Sequence, residues 1–274
     1  MVPPVENIWL AFALTLLAGL ATGLGSIIAF TFRRSGNFLS VSLGFSAGVM
    51  IYVSFVEIIP ESLQFFQAAQ SEHAELWTTL AFFFGVFLIM VIDFLVPEKI
   101  NPHEYPTPLD SEDETEEERN RRCIDLYNCG RFSALAVAIH NFPEGMATFM
   151  AALVDPKLGI GIAIAIAIHN IPEGVAIAVP VYYATGNIKR ASLMAFLSGL
   201  SEPLGALVGF FVLRNFLSNT MFGIVFAMVA GIMVYISIDE LLPTAEKYGE
   251  HHYAIGGVVA GMAVIAISML LIGN

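Results

Sequence analysis

Two short segments, HNFPEG (His140 to Gly145) and HNIPEG (His169 to Gly174), repeat one pattern and differ only at Phe142 and Ile171. On a helix advancing about 100° per residue, Asn141 lies about 100° and Glu144 about 40° from His140, so imidazole, amide and carboxylate share one face. The carboxylate lies between the other two groups. One glutamate can therefore serve a metal ion on its histidine side and a second ion on its asparagine side. With His169, Asn170 and Glu173 on a facing helix, the pattern predicts two adjacent positions that share Glu144 and Glu173. Imidazole plus carboxylate suits Zn, Fe(II), Mn or Co, whereas an all-oxygen site would favour Mg or Ca. Zinc is the first expectation, with loose selectivity.

Pro143 and Pro172 each remove a backbone donor, which frees the carbonyls of Ile139 and Ile168 and predicts a kink in each helix. Gly145 and Gly174 allow close helix approach. The plainer alternative is that these polar groups only link two helices by hydrogen bonds. Two carboxylates facing each other inside a bilayer are too costly for that role without a cation or protons.

The elements that must carry these residues are membrane helices. Of the chain's 274 residues, 57% are hydrophobic and only 13% charged, and the mean hydropathy is +0.74, which argues against a soluble fold. A bilayer core of roughly 30 Å needs about 20 apolar residues per helix. Eight spans are predicted by that rule, at 8–31, 39–62, 76–96, 131–153, 158–183, 190–214, 220–245 and 253–273. The expected fold is an all-α membrane protein with one transport domain over 1–274. Glu6 stands where a signal peptide would carry basic residues, so the first span is expected to remain.

Copies of a unit are visible within the chain. AGVMIYVSFVEIIP (Ala47 to Pro60) matches AGIMVYISIDELLP (Ala230 to Pro243), and GLATGLGSIIAF (Gly19 to Phe30) matches GLSEPLGALVGF (Gly199 to Phe210). The twin motifs pair the fourth span with the fifth. This predicts a 3+2+3 arrangement of inverted repeats, the pattern of transporters whose site lies near mid-membrane.

With the N-terminus outside, the inner loops hold Arg33, Arg34, Lys99, Arg119, Arg121, Arg122, Arg131, Lys189, Arg190 and Lys247, leaving Lys157 and Arg214 outside. The positive-inside bias thus predicts both termini outside in a multi-pass protein of the cell (inner) membrane. The formal charge of -12 is concentrated in one segment, since seven acids lie between Asp110 and Glu118. Together with Pro97, Pro102, Pro106 and Pro108, that run predicts a disordered cytoplasmic loop over 97–130, in which Cys123 and Cys129 are structural or incidental.

HNFPEGMATF and HNIPEGVAIAVP resemble the ZIP (Zrt/Irt-like) metal transporter family, its bacterial ZupT-like branch in particular, and the resemblance extends over all eight spans. It implies a transporter, not an enzyme, taking divalent transition metal from outside into the cytoplasm. Zinc would be the main substrate, with iron, manganese, cobalt and cadmium also accepted. The implied two-metal site holds one ion between Asn141, Glu144, Asn170, Glu173 and Glu202, and the other between His140, Glu144, His169 and Glu173. Glu202, in SEPLG of the sixth span, matches Thr22 in the repeat, so the symmetry breaks there. No prosthetic group is expected. The expected partners are divalent metal ions, membrane lipid and a second copy of the chain, with no nucleic acid.

Other polar residues fit secondary roles. Glu57 and Glu240 are repeat mates that suit an entrance and an exit ligand, and Asp239 adjoins the second. Met50 and Met233 read as packing. Asp93 is expected to face water, while His73, His251 and His252 are weak capture or release candidates. A bundle metalloenzyme would usually present Glu-x-x-His, not the proline-interrupted His-x-x-x-Glu found here. A metal-gated channel remains the rival among membrane proteins.

Overall fold

A computed structural model describes residues 7–31, 36–95, 116–213 and 218–272. Every regular element among them is helical: α1 (Ile8–Thr31), α2 (Gly36–Val53), α3 (Ile59–Ala68), α4 (Ala74–Leu95), α5 (Glu116–Val154), α6 (Pro156–Thr185), α7 (Ile188–Gly199), α8 (Ser201–Leu213), α9 (Asn219–Ile236), α10 (Leu242–Tyr248) and α11 (His251–Ile272). Seven helical stretches are long and apolar enough to cross a membrane. They are Ile8–Phe30, Asn37–Ala68, Ala74–Phe94, Pro156–Thr185, Ile188–Val212, Asn219–Lys247 and His251–Leu271. The segment expected as the fourth span, 131–153, lies inside α5, which begins in a charged stretch and carries His140, Asn141 and Glu144. It is not among the seven.

One expectation needs correction. Residues 116–130, assigned above to a disordered loop, are the first turns of α5. Several local contacts favour helix there. Glu117 and Arg121 pair one turn apart at 3.8 Å, Leu126 is buried, and Gly130 lets α5 lie directly against Val181 of α6. Tyr127 lies under the guanidinium groups of Arg131 and Arg190, at 5.8 and 5.7 Å from its ring centre. Cys123 is a free, partly exposed thiol. The four loop prolines, His103 and the acids from Asp110 to Glu114 lie outside the described residues, as does the side chain of Cys129.

Turn chemistry explains several boundaries. Asp155 caps α6 by accepting from the Lys157 amide at 2.8 Å, and Gly186, at φ 64°, ends that helix in the left-handed region. Asn187 then caps α7 by accepting from the Arg190 amide. Between α2 and α3 the chain widens into a single π-helical turn, Ser54–Ile58, and Ser237–Leu241 does the same between α9 and α10. In each, an amide reaches back five residues, from Ile59 to Ser54 and from Leu242 to Ser237. Pro60 and Pro243 supply the reason, because neither can donate to the carbonyl four residues before it. The same two serines donate to the carbonyls of Met50 and Met233, each at 2.7 Å.

Burial separates the centre of the bundle from its periphery. Within their most apolar windows α6 and the α9–α10 stretch are 72% buried, whereas α4 and α11 are 22% buried and present large apolar side chains outward. Close crossings are built on glycine, and several are made twice. A Cβ on Gly25 would run into the carbonyl of Ile171, and one on Gly205 into that of Phe142. Likewise Gly174 abuts the Thr22 carbonyl as Gly145 abuts that of Glu202. Further out, Gly48 meets Val258 as Gly231 meets Phe82, and Gly261 meets Phe45 as Gly85 meets Met228. Small residues at such crossings let helix backbones touch, which is how helices associate in lipid.

These contacts fall into two sets. One ties α1, α5, α6, α7 and α8 together; in the other, glycines pack α2 on α11 and α9 on α3 and α4, and α3 and α10 continue α2 and α9 through the π-helical turns. Among the described residues, none of the close glycine approaches joins one set to the other. The sets meet chiefly where α2 lies on α6, and there the Ser46 hydroxyl donates to the His169 carbonyl at 3.2 Å.

Candidate metal site

The twin motifs lie on α5 and α6, which pack against each other along much of their length. Helix periodicity turns His140, Asn141 and Glu144 to the same side as their counterparts on α6, and the crossings at Gly145 and Gly174 bring α8 and α1 against that side. His140 is 1% exposed, and Asn141, Glu144, His169, Asn170, Glu173 and Glu202 are 0% exposed. All seven predicted ligands are therefore in the interior.

Histidines and glutamates pair across the two helices. His140 Nε2 lies 3.2 Å from Glu173 Oε1, and His169 Nε2 lies 3.4 Å from Glu144 Oε2. Only the second pair meets hydrogen-bond geometry. Asn170 Nδ2 donates to a carboxylate oxygen of Glu202 and also to the Ala18 carbonyl at 2.9 Å, which ties α6 to α8 and α1. Asn141, its counterpart, makes no hydrogen bond through either amide atom. The Thr148 hydroxyl bonds the Glu144 carbonyl at 2.9 Å and steadies that turn of α5.

This centre holds most of the unsatisfied buried polar atoms among the described residues. They include both ring nitrogens of His140, both amide atoms of Asn141, Glu144 Oε1, His169 Nδ1, Asn170 Oδ1, both oxygens of Glu173 and Glu202 Oε2. A buried polar atom without a partner costs about 1–3 kcal/mol, and more when it is charged. The carboxylate and amide oxygens and the imidazole acceptor nitrogens among them suit a positive ion. No three His, Cys, Asp or Glu side chains among the described residues are already arranged around one point in metal-holding geometry. Each carboxylate is turned instead towards the histidine of the facing helix.

Of the secondary candidates, Glu240 lies within electrostatic reach of His140 and Glu173, and the others lie farther from this centre. Glu57 sits in the first π-helical turn and lines a cavity of about 300 Å³ with Glu61, Asp155 and Lys157. Glu240 and Asp239 occupy the matching turn. Glu61 and Asp155 were not singled out from the sequence. The only hint was the one-turn spacing of Glu57 and Glu61, and Asp155 joins them through the packing of α2 and α3 near the start of α6. Met50 and Met233 are fully buried and serve as packing. His251 is exposed and bonded to Glu246 at 2.6 Å, and its ring lies beside that of His252.

A bundle of apolar helices that encloses two crossed histidine–glutamate pairs defines a class of membrane protein that handles cations inside the bilayer. The ZIP Zinc transporter family matches residues 5–269. Among curated relatives, the Zinc transporter ZupT of Chlorobaculum parvum is 56% identical over 268 residues, covering 97% of this chain and 98% of the relative. The Zinc transporter ZupT of Nitratidesulfovibrio vulgaris is 56% identical over 270 residues, and that of Streptococcus mutans 52% over 268, each covering 97% of this chain and 98% of the relative. The chain belongs to the ZIP family. Its class is therefore the membrane transporter and not the enzyme.

Proposed function

We propose that the chain takes up zinc, and less selectively iron, manganese, cobalt and cadmium, from outside the cell into the cytoplasm. In this reading 1–274 is one transport domain with eight spans in a 3+2+3 arrangement, 131–153 being the fourth. Duplicated crossings such as Gly25–Ile171 and Gly205–Phe142 support the inverted repeat. The basic residues Arg131, Lys189 and Arg190 support an inner location for the α4–α5 and α6–α7 connections, with both termini outside and the inner membrane as the location.

The observation that carries the proposal is the crossed pairing of His140 with Glu173 and His169 with Glu144 at full burial. Modest side-chain rotation would turn these four groups, with Asn141, Asn170 and Glu202, from one another towards two ions that share Glu144 and Glu173. Zinc takes imidazole nitrogen and carboxylate oxygen at about 2.0–2.2 Å, so the pairs need only open slightly around an ion. Full burial also favours alternating exposure over an open pore. The two glycine-packed helix sets provide the parts: α1, α5, α6, α7 and α8 carry the site and rock against the rest, with Ser46 at the boundary. Glu57, Glu61 and Asp155 form the entrance, and Asp239 with Glu240 the exit.

Uptake of radioactive zinc by proteoliposomes tests this reading. The double variant Glu144→Ala, Glu173→Ala is expected to fall to the level of empty liposomes. Unchanged flux would overturn the proposal.

A further inference from the structure

α1 and α7 touch where Gly19 meets Gly199, so closely that a Cβ on either would strike the other's carbonyl. From that crossing towards the start of α7 an open groove runs between the two helices. The wedge between them is a cavity of about 690 Å³, walled by Leu17, Leu24, Ile27, Leu193 and Phe196. The Phe196 ring packs onto Gly23, 3.3 Å from the place where a Cβ on that glycine would be, so a larger side chain there would enter the groove.

Three features separate this wedge from the rest of the apolar perimeter. Its length is one: Leu17 to Ile27 spans about 15 Å along α1, half of a hydrocarbon core of roughly 30 Å. Its polarity is graded, since the deep end is apolar while Ser26, Ser192 and Lys189 line the end near the start of α7. Its charge is available. Lys189 is exposed and has no ion pair with any described residue, whereas its neighbour Arg190 is held over the Tyr127 ring.

We propose that this wedge binds one anionic phospholipid, with an acyl chain between α1 and α7 and the headgroup phosphate against Lys189. A leaflet-deep apolar slot open to the bilayer side must be filled by hydrocarbon, and a lysine at its headgroup end selects for net negative charge. The walls belong to two helices of the set that carries the metal site, so the bound lipid travels with that set.

Photo-crosslinking tests the site. The purified protein is reconstituted in phosphatidylcholine nanodiscs with a trace of phosphatidylglycerol carrying a diazirine in its acyl chain, and adducts are mapped by mass spectrometry. Adducts are expected on the peptides containing Leu24 and Leu193. Unlabelled phosphatidylglycerol should compete about fivefold better than unlabelled phosphatidylcholine, the size expected from one lysine facing an anionic headgroup. Lys189→Gln should abolish that preference and keep the adducts, while Gly23→Leu should fill the wedge and remove them. Adducts confined to other helices, equal competition by both lipids, an unaltered preference in K189Q, or undiminished adducts in G23L would each overturn the proposal.

Discussion

Asn170 donates through one amide nitrogen to both Glu202 and the Ala18 carbonyl, so a single side chain of α6 fixes α8 and α1 around the buried centre. Its repeat counterpart Asn141 has no such partners. The difference follows from the break in symmetry at Glu202 and Thr22, and it gives Glu202 a role that can be isolated. Glu202→Gln keeps an oxygen for the Asn170 amide and removes the charge. Zinc uptake by this variant is expected to show KM raised about 10- to 100-fold, the usual cost of weakening a metal shell, with thermal stability little changed.

The crossed pairs predict different kinetic outcomes for histidine and glutamate. Each glutamate is proposed to serve both ions, whereas each histidine serves one. His140→Ala and His169→Ala should therefore retain measurable turnover with weakened zinc affinity, while Glu173→Ala alone should lose flux. Initial rates of zinc uptake across a concentration series separate the two effects.

The paired crossings predict where a methyl group is forbidden. Gly174→Ala would press a Cβ into the Thr22 carbonyl, so overpacking is expected to cost about 1–3 kcal/mol and lower the melting temperature in detergent. Gly256 in α11 has nothing within 4 Å of its would-be Cβ. Gly256→Ala should be neutral or stabilise by about 0.5–1 kcal/mol through helix propensity. Equal melting shifts for the two variants would contradict the close approach.

Ser46 makes a hydrogen bond between the two helix sets in the arrangement described here. Interhelical hydrogen bonds in membranes average about 0.6 kcal/mol, so Ser46→Ala should shift the balance away from this arrangement by roughly threefold. Labelling rates of a cysteine placed at Gly161, which lines the Glu57 cavity, would report that shift. An unaltered rate would mean that the bond does not bias the motion.

Much of this was legible in the sequence because the information is local. The candidate site is two copies of one short motif, and helix periodicity alone puts its members on one face. Glu202 stood out because its repeat mate Thr22 has no charge. The third and eighth spans, by contrast, share too few residues for their kinship to show. Their equivalence emerges from contacts, with Gly85 on Met228 repeating Gly261 on Phe45. The π-helical turns were missed although Pro60 and Pro243 announced lost donors. The helical start of α5 was missed because, beyond the local Glu117–Arg121 pair, it is supported by contacts with α6 and α7 through Val181 and Arg190.

Crossing the pairs means that neither helix owns a half-site. Each histidine from one motif answers a glutamate from the other, so in the proposed two-ion site grafting HNFPEG alone from a relative of different preference would alter both positions at once and complete neither. On that proposal metal preference is inherited through the two helices jointly, and changes in one motif should be tolerated only when the other has already changed to match.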